Sequence, residues 1–198
     1  MSSEFIFANE PDNNEHHNQA NQEPWKILIV DDEREVHAVT RLALMDLQFE
    51  GRGLQFLSAY SRHEAEQLVL QHPDLAIVLL DVVMDTDDAG LMVARFIREQ
   101  AKNQSSRIIL RTGQPGQAPE RAVVMNYDIN DYKAKTELTA QKLFTCVMSS
   151  LRSYRDIMQV VAKQQQLQFE LEFYRNWLAE HQPETAVKIA TAYRQLAD

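Results

Sequence analysis

The sequence predicts an α/β domain, built on a doubly wound parallel sheet of five strands, with an extended helical segment at its carboxyl-terminal end. Short apolar runs alternate with amphipathic stretches, which is typical of parallel strands covered by helices on both faces. Two runs, Ile27–Val30 and Ile77–Leu80, are apolar without interruption. We therefore expect these two runs to be the central strands, buried on both sides.

The periodicity gives five strands and four helices within this domain. The predicted strands are Lys26–Val30, Leu54–Ala59, Leu75–Leu80, Arg107–Thr112 and a weaker Ile129–Tyr132. The predicted helices are Glu33–Leu47, Arg62–Gln71, Gly90–Gln100 and Pro119–Asn126. The first helix carries an apolar face that we expect to cover the sheet, made of Val36, Val39, Leu42, Ala43 and Leu47.

The chain divides into three regions by composition and periodicity. Residues 1–23 are rich in Asn, Gln, Glu and His and are predicted to be a disordered arm, residues 24–148 hold the α/β domain, and residues 149–198 form a helical extension. The extension has an apolar stripe at heptad spacing: Ile157, Val160, Leu167, Leu171, Tyr174 and Leu178, with Gln164 at the polar position. The stripe fits either a coiled coil between two copies or a hairpin that turns at Pro183.

Composition and charge exclude several classes of protein. The net charge is −9, and it lies in residues 1–150 because residues 151–198 are neutral, so we expect no direct binding to nucleic acid. The single cysteine, Cys146, cannot build a disulfide framework, which favours a reducing compartment. No apolar run is long enough to span a membrane, and the start lacks a basic leader. We expect a soluble, cytoplasmic protein.

Polar residues follow the apolar runs at the point where each predicted strand ends. Asp31 and Asp32 follow the first strand, Asp81 follows the third, and Thr112 ends the fourth; beyond the fifth come Tyr132 and Lys135. The carboxyl ends of parallel strands meet at one edge of the sheet, where ligands bind in this architecture. We therefore expect three carboxylates, one hydroxyl and one ammonium to converge there.

Three carboxylates in one place repel one another, so this arrangement normally requires a divalent cation. The ligands are all oxygens, which select Mg²⁺, an ion that usually keeps several waters and completes its shell with phosphate. The other groups then acquire roles: Lys135 and Thr112 contact phosphoryl oxygens, and Asp81 attacks phosphorus to form an acyl phosphate. Taken alone, Asp32 is equally well explained as the cap of the first helix.

Four blocks of the sequence resemble the signature motifs of response-regulator receiver domains from two-component systems. The blocks are Ile27–Glu33, Leu79–Met84, Leu110–Gly113 and Asp131–Lys135, and the likeness covers about residues 25–145. The resemblance implies a flavodoxin-like receiver fold. It further implies roles for the site residues: Asp31 and Asp32 as the metal-binding pair, Asp81 as phosphoacceptor and metal ligand, the backbone carbonyl of Val83 as a further Mg²⁺ ligand, Thr112 as switch hydroxyl, Tyr132 as rotating aromatic and Lys135 as phosphoryl contact.

Two positions depart from the receiver pattern. Asp85 replaces the usual proline of the third block, and the loop before Gly90 is one residue longer. Thr136 replaces the proline after Lys135, so the cis bond of the family is not expected there. The stretches Leu110–Pro119 and Ile129–Thr139 further resemble receivers that precede HD-GYP phosphodiesterase domains. We expect either a stand-alone receiver or one cut from a longer regulator.

The leading functional hypothesis is a phosphorylation-dependent switch that receives its phosphoryl group from a sensor histidine kinase or a phosphotransfer protein. Such a receiver catalyses only its own phosphorylation and dephosphorylation, and the C-terminal helix would make it a homodimer. One alternative is an aspartate-nucleophile phosphohydrolase, although those enzymes carry an Asp where this chain has Val83. Another alternative is a helical oligomerisation module whose acidic site is vestigial.

Overall fold

A five-stranded parallel sheet forms the centre of the protein. The computed structural model describes residues 23–113, 127–137, 139–185, 187 and 189. The strands are β1 Trp25–Val30, β2 Leu54–Ala59, β3 Ile77–Asp81, β4 Arg107–Thr112 and β5 Asp131–Ala134. Their order across the sheet is β2-β1-β3-β4-β5 and every neighbouring pair is parallel, which confirms the predicted fold class.

The helices described here are α1 Arg34–Leu44, α2 Arg62–Gln71, α3 Ala89–Arg95 and α4 Ala140–His181; a π-helical turn, Phe96–Gln100, continues α3. Ser61 caps α2 by accepting a hydrogen bond from the Glu64 amide, and Thr139 caps α4 by accepting one from the Lys142 amide. The predicted helix Pro119–Asn126 lies outside the described residues, as does nearly all of the arm 1–23.

Two apolar layers enclose the sheet. One layer, on the α2 and α3 side, includes Leu28, Val30, Val78, Leu80, Ile108 and Leu110. The other, on the α1 and α4 side, includes Ile27, Ile29, Ile77, Leu79, Ile109 and Leu143. Alternate residues of β1, β3 and β4 thus point to opposite layers and are fully buried, so the prediction that β1 and β3 are central is confirmed.

Strand β5 begins two residues later than the sequence predicts. Ile129 is buried, as expected for a strand residue, but the side chain of Asn130 accepts a hydrogen bond of 2.7 Å from the Ile108 amide. A side-chain carbonyl therefore takes the place of a backbone partner at this position, and regular pairing starts at Asp131. The predicted third strand also starts early, since β3 begins at Ile77 rather than Leu75.

The inner face of α1 differs from the predicted apolar stripe. Val39 and Leu42 are exposed, whereas His37 and Thr40 are buried against the sheet. His37 donates through Nε2 to the backbone carbonyl of Asp31 at 2.8 Å, so a polar side chain is satisfied inside. The prediction was wrong for Val39 and Leu42, whereas Leu47 is buried and Ala43 packs against the apolar layer as predicted. Polar residues with partners on neighbouring strands can face a core as well as apolar ones can.

Helix α4 has a packed first part and an exposed second part. Leu143, Val147, Leu151 and Tyr154 are buried against the sheet, and the Tyr154 hydroxyl donates to the Asp74 carbonyl at 3.2 Å. After residue 161, every described side chain of α4 except the half-buried Leu178 is exposed. None of the described helices combines the length and apolar character that a membrane-spanning segment needs.

Candidate functional site

The predicted site residues lie together at the carboxyl edge of the sheet. Asp31 directly follows β1, Asp81 is the last residue of β3, Thr112 is the last residue of β4, and Lys135 directly follows β5. Strands β1, β3, β4 and β5 are consecutive in the sheet, so their carboxyl ends are neighbours. The sequence places these residues correctly because each apolar run ends where its strand leaves the core.

Three carboxylates form a compact acidic cluster. Asp31, Asp32 and Asp81 each offer an oxygen, and these oxygens lie within 4.8 Å of one another. Asp31 and Asp81 are buried, while Asp32 is exposed at the mouth of the cluster. The residue at the N-cap of α1 is Glu33 rather than Asp32, so helix capping does not account for Asp32.

The Lys135 ammonium forms ion pairs with three acidic side chains. Its Nζ lies 2.9 Å from Asp81 Oδ2, 3.2 Å from Asp31 Oδ2 and 3.0 Å from Glu33 Oε1. Burial lowers the pKa of Lys135, but its hydrogen bonds to Asp81 and Glu33 outweigh burial and raise the pKa overall. The ammonium is therefore charged at neutral pH, and with its side chain 21% exposed it can move with a bound group.

The carboxylate of Asp81 is held at one oxygen. Oδ2 binds Lys135, whereas Oδ1 is buried and has no hydrogen-bond partner among the described residues. Burial raises the pKa of Asp81 above its ordinary value, more than the hydrogen bond from Lys135 lowers it. A buried polar oxygen without a hydrogen-bond partner is costly, so Asp81 Oδ1 is suited to bind a metal ion.

The donor set fits Mg²⁺. The acidic cluster supplies only oxygens, one of which, Asp81 Oδ1, lacks a partner within the described structure. Hard divalent ions prefer such oxygen ligands, and Mg²⁺ in particular is bound by one or two carboxylates together with water and phosphate. The cluster can therefore hold a metal ion.

Three further predicted residues lie at or near the carboxyl ends of β3, β4 and β5. Thr112 is 2% exposed and pairs with Ala134 of β5. Tyr132 is half-buried and packs against the apolar layer on the α2 and α3 side, as does Val83, two residues after Asp81. The residues that depart from the receiver pattern are both exposed. Asp85 lies in the loop before α3, and the bond from Lys135 to Thr136 is trans, as expected.

Arg111 belongs to the site and was missed by sequence reasoning. Its guanidinium is buried, with Nη2 3.4 Å from Asp31 Oδ2 and Nη1 donating to Thr40 Oγ1 at 3.1 Å. Burial lowers the pKa of Arg111, and the charges of Asp31 and Asp81 oppose this. Strand alternation could have revealed it, because Arg111 is the register partner of Asp81 on β4 and faces the same layer.

Gly90 lets the loop after β3 close tightly over the site. Its amide donates to the Val82 carbonyl at 3.1 Å, and a side chain at this position would collide with the Asp81 carbonyl. Because the neighbouring atoms are backbone, they cannot rotate away. The glycine thus fixes the distance between α3 and the end of β3.

The chain is similar in sequence to a curated protein. A stretch of 136 residues is 51% identical to the 3'3'-cGAMP-specific phosphodiesterase 2 of Vibrio cholerae serotype O1, a match that covers 69% of this chain and 26% of that protein. The chain therefore spans about a quarter of the length of this curated relative. No protein-family model matches the chain.

Solved receiver structures superpose on most of the chain. A response-regulator receiver domain protein from Clostridium thermocellum is 21% identical with a TM-score of 0.56, and the match covers 67% of this chain and 98% of that one. The signal receiver domain of an HD domain-containing protein from Pseudomonas fluorescens Pf-5 is 22% identical with a TM-score of 0.54, covering 67% and 98%. The sheet order, the acidic cluster and these neighbours together show that this chain has the fold of response-regulator receiver domains.

Proposed function

We propose that the chain is a phosphorylation-dependent switch of a two-component phosphorelay and that Asp81 is its phosphoacceptor. The observation that carries the proposal is the asymmetry of the Asp81 carboxylate, whose Oδ2 binds Lys135 while its buried Oδ1 has no hydrogen-bond partner among the described residues. With Oδ1 left for the metal, Oδ2, positioned by Lys135, would be the oxygen that attacks phosphorus.

In the proposed reaction a phosphohistidine of the donor protein approaches the carboxyl edge of the sheet. Asp81 attacks phosphorus, the new P–O bond forms as the P–N bond breaks, and the leaving imidazole nitrogen keeps the electron pair and takes a proton. Lys135 and Thr112 contact phosphoryl oxygens. Tyr132, half-buried on the strand next to that of Thr112, would turn inward when that hydroxyl is drawn to the phosphoryl group.

Asp31, Asp32, Asp81 and the backbone carbonyl of Val83 would hold Mg²⁺ in this reaction. When bound, the ion would neutralise charge on the phosphoryl oxygens. The location of Asp32 supports this assignment, because its carboxylate is exposed and reachable by a hydrated ion.

The site supports phosphorylation of the chain itself rather than repeated hydrolysis of a phosphate substrate. Val83 stands at the position where aspartate-nucleophile phosphohydrolases carry their acid/base carboxylate, and an isopropyl group cannot move a proton. The acyl phosphate would therefore persist as a signal rather than being hydrolysed as an intermediate. This supports a receiver that catalyses only its own phosphorylation and dephosphorylation.

The exposed apolar surface of α1 supports the proposal that the phosphoryl donor is a protein, either a sensor histidine kinase or a phosphotransfer protein. Val39, Leu42 and Met45 are 65%, 70% and 65% exposed and lie on or at the end of the helix that starts beside the acidic cluster. A partner that presents phosphohistidine to Asp81 would dock at the carboxyl edge of the sheet, next to the start of this helix. An apolar surface placed there suits a helix of that donor.

We propose that the exposed part of α4 pairs with the same part of α4 in a second copy of the chain. The stripe from Ile157 to Leu178 keeps heptad spacing, and within it Leu171 and Tyr174 are 60% and 61% exposed. A helix this long gains most of its stability from a packed partner. The boundary at residue 148 stays a prediction, because α4 runs through it and Leu151 and Tyr154 still pack on the sheet.

Phosphorylation by a small donor tests the proposed acceptor directly. Incubation with phosphoramidate and Mg²⁺ should add one phosphoryl group that is labile to hydroxylamine, as an acyl phosphate is. Asp81→Asn should abolish the label, whereas Asp85→Asn, in the exposed loop nearby, should keep it. Full labelling of Asp81→Asn, or repeated release of phosphate from p-nitrophenyl phosphate, would contradict the proposal.

A further inference from the structure

Two cationic side chains, Lys135 and Arg111, contact the acidic cluster. Lys135 lies at its rim with a side chain 21% exposed, whereas the Arg111 side chain is 4% exposed beneath it. Lys135 can swing with solvent or with a bound phosphoryl group. Arg111 cannot, because its side chain is buried and its Nη1 donates to Thr40 Oγ1 of α1.

Arg111 has the features of a group that balances charge rather than one that completes a hydrogen-bond network. Its Nε has no hydrogen-bond partner in the described part of the chain, and its contact with Asp31 is long for an ion pair, at 3.4 Å. A guanidinium buried with an unused donor is costly unless nearby negative charge compensates for it. Asp31 and Asp81 provide that charge.

We propose that Arg111 is a resident cation of the acidic cluster. Its guanidinium holds Asp31 and offsets carboxylate repulsion, so the site stays folded without a divalent ion. The same charge repels an incoming metal, so Mg²⁺ binds more weakly than it would with a neutral residue at position 111. This inference rests on the proposed function in one respect, the identity of the ion.

Titration of Mg²⁺ by calorimetry tests the inference on three proteins: the unchanged chain, Arg111→Met and Arg111→Lys. Methionine removes the charge at similar length, whereas lysine keeps it. We expect Arg111→Met to bind Mg²⁺ about tenfold more tightly or better, because a unit charge is removed from a buried site. Arg111→Lys should remain within about twofold of the unchanged protein, since the charge that repels the metal remains.

Thermal unfolding with EDTA and with Mg²⁺ supplies a second measurement. Arg111→Met should melt lower in EDTA and gain more from Mg²⁺ than the unchanged protein does. If Arg111→Met is unfolded in EDTA, recovery of its helical circular dichroism by millimolar Mg²⁺ supports the inference, and failure to recover overturns it.

The inference is also overturned if Arg111→Met binds Mg²⁺ no more tightly than the unchanged chain, or if Arg111→Lys changes affinity as much as Arg111→Met does. Labelling of the unchanged chain by phosphoramidate, measured in parallel, reports on the proposed function separately. Normal labelling of the unchanged chain, together with an unaltered Mg²⁺ affinity of Arg111→Met, would refute the role proposed for Arg111 and leave the proposed function unaffected.

Discussion

Gly90 lies directly against the backbone carbonyl of Asp81, with no room between them for a side chain. We predict that Gly90→Ala destabilises the protein by about 1–3 kcal/mol or more, because the new methyl group must displace β3 or α3. Labelling of Asp81 by phosphoramidate should fall as well, since the displaced strand end carries the proposed acceptor. Urea unfolding and labelling measure the two effects.

Gly53→Ala is the matched control for this change. An added methyl at Gly53 meets nothing within 4 Å and its φ is not in the left-handed region, so we expect a stability change within about 0.5 kcal/mol. Equal destabilisation by the two substitutions would show that loss of glycine, not contact with Asp81, is responsible.

Lys135→Met should slow phosphorylation of Asp81 by roughly 10²-fold, because one positioned charge on the developing phosphoryl group is removed. The rate of labelling by phosphoramidate at saturating Mg²⁺ is the measurement. Lys142→Met, an exposed lysine at the start of α4, should leave that rate unchanged. A normal rate in Lys135→Met would mean that the 2.9 Å contact with Asp81 is only structural.

The raised pKa of Asp81 predicts a pH dependence of stability in the absence of metal. Between the ordinary value of 3.8 and its raised folded value, the folded protein keeps a proton that the unfolded chain has lost. The contribution of Asp81 to stability therefore falls as pH rises through this window. Asp81→Asn avoids the loss, and Lys135 keeps Asp31 and Glu33 as partners.

Unfolding in EDTA at a series of pH values checks this expectation. Asp81→Asn should be more stable than the unchanged protein near neutral pH, and the two curves should converge as pH falls to the ordinary pKa of an aspartate. Curves that stay parallel across the range would disprove it. Asp85→Asn, an exposed carboxylate, should track the unchanged protein.

Substitution on the α4 stripe should weaken the proposed homodimer. Leu171→Glu puts a charge at a heptad core position and should raise the dimer dissociation constant by tenfold or more, as loss of one buried leucine predicts. Phe169→Glu is the control, because Phe169 is 72% exposed and lies off the stripe. Sedimentation with and without beryllofluoride is the measurement, and an unchanged chain that is monomeric throughout would refute the dimer.

A substitution on the exposed apolar surface of α1 should reduce phosphorylation by a protein donor but not by a small-molecule donor. Leu42→Glu should reduce phosphotransfer from a phosphorylated sensor kinase, found by profiling purified kinases, by about tenfold or more. Labelling by phosphoramidate should be unaffected, since Leu42 is 70% exposed and does not form part of the acidic cluster. Leu70→Glu on α2, 63% exposed, is the control. Equal loss with both donors would locate the effect in the site.

The sequence by itself determined the sheet and the acidic edge of the site. Uninterrupted apolar runs mark buried parallel strands, and the polar residues that end them must meet at one edge. Asp31, Asp81, Thr112 and Lys135 were placed correctly for this reason. Asp31, Asp81 and Thr112 needed only local information, the end of a run and the residue after it, whereas Lys135 lies three residues beyond the predicted fifth strand.

Only the tertiary structure decided which polar residues could be buried. Periodicity predicted Val39 and Leu42 on the inner face of α1, yet His37 and Thr40 lie there. His37 contacts the Ser58 hydroxyl of β2 as well as the nearby Asp31 carbonyl, and Thr40 accepts a hydrogen bond from Arg111 of β4. The burial of a polar group depends on partners that are far away in the sequence. Sequence reasoning missed Arg111 for the same reason. Its buried charge is tolerated only because folding brings the carboxylates of Asp31 and Asp81 near it.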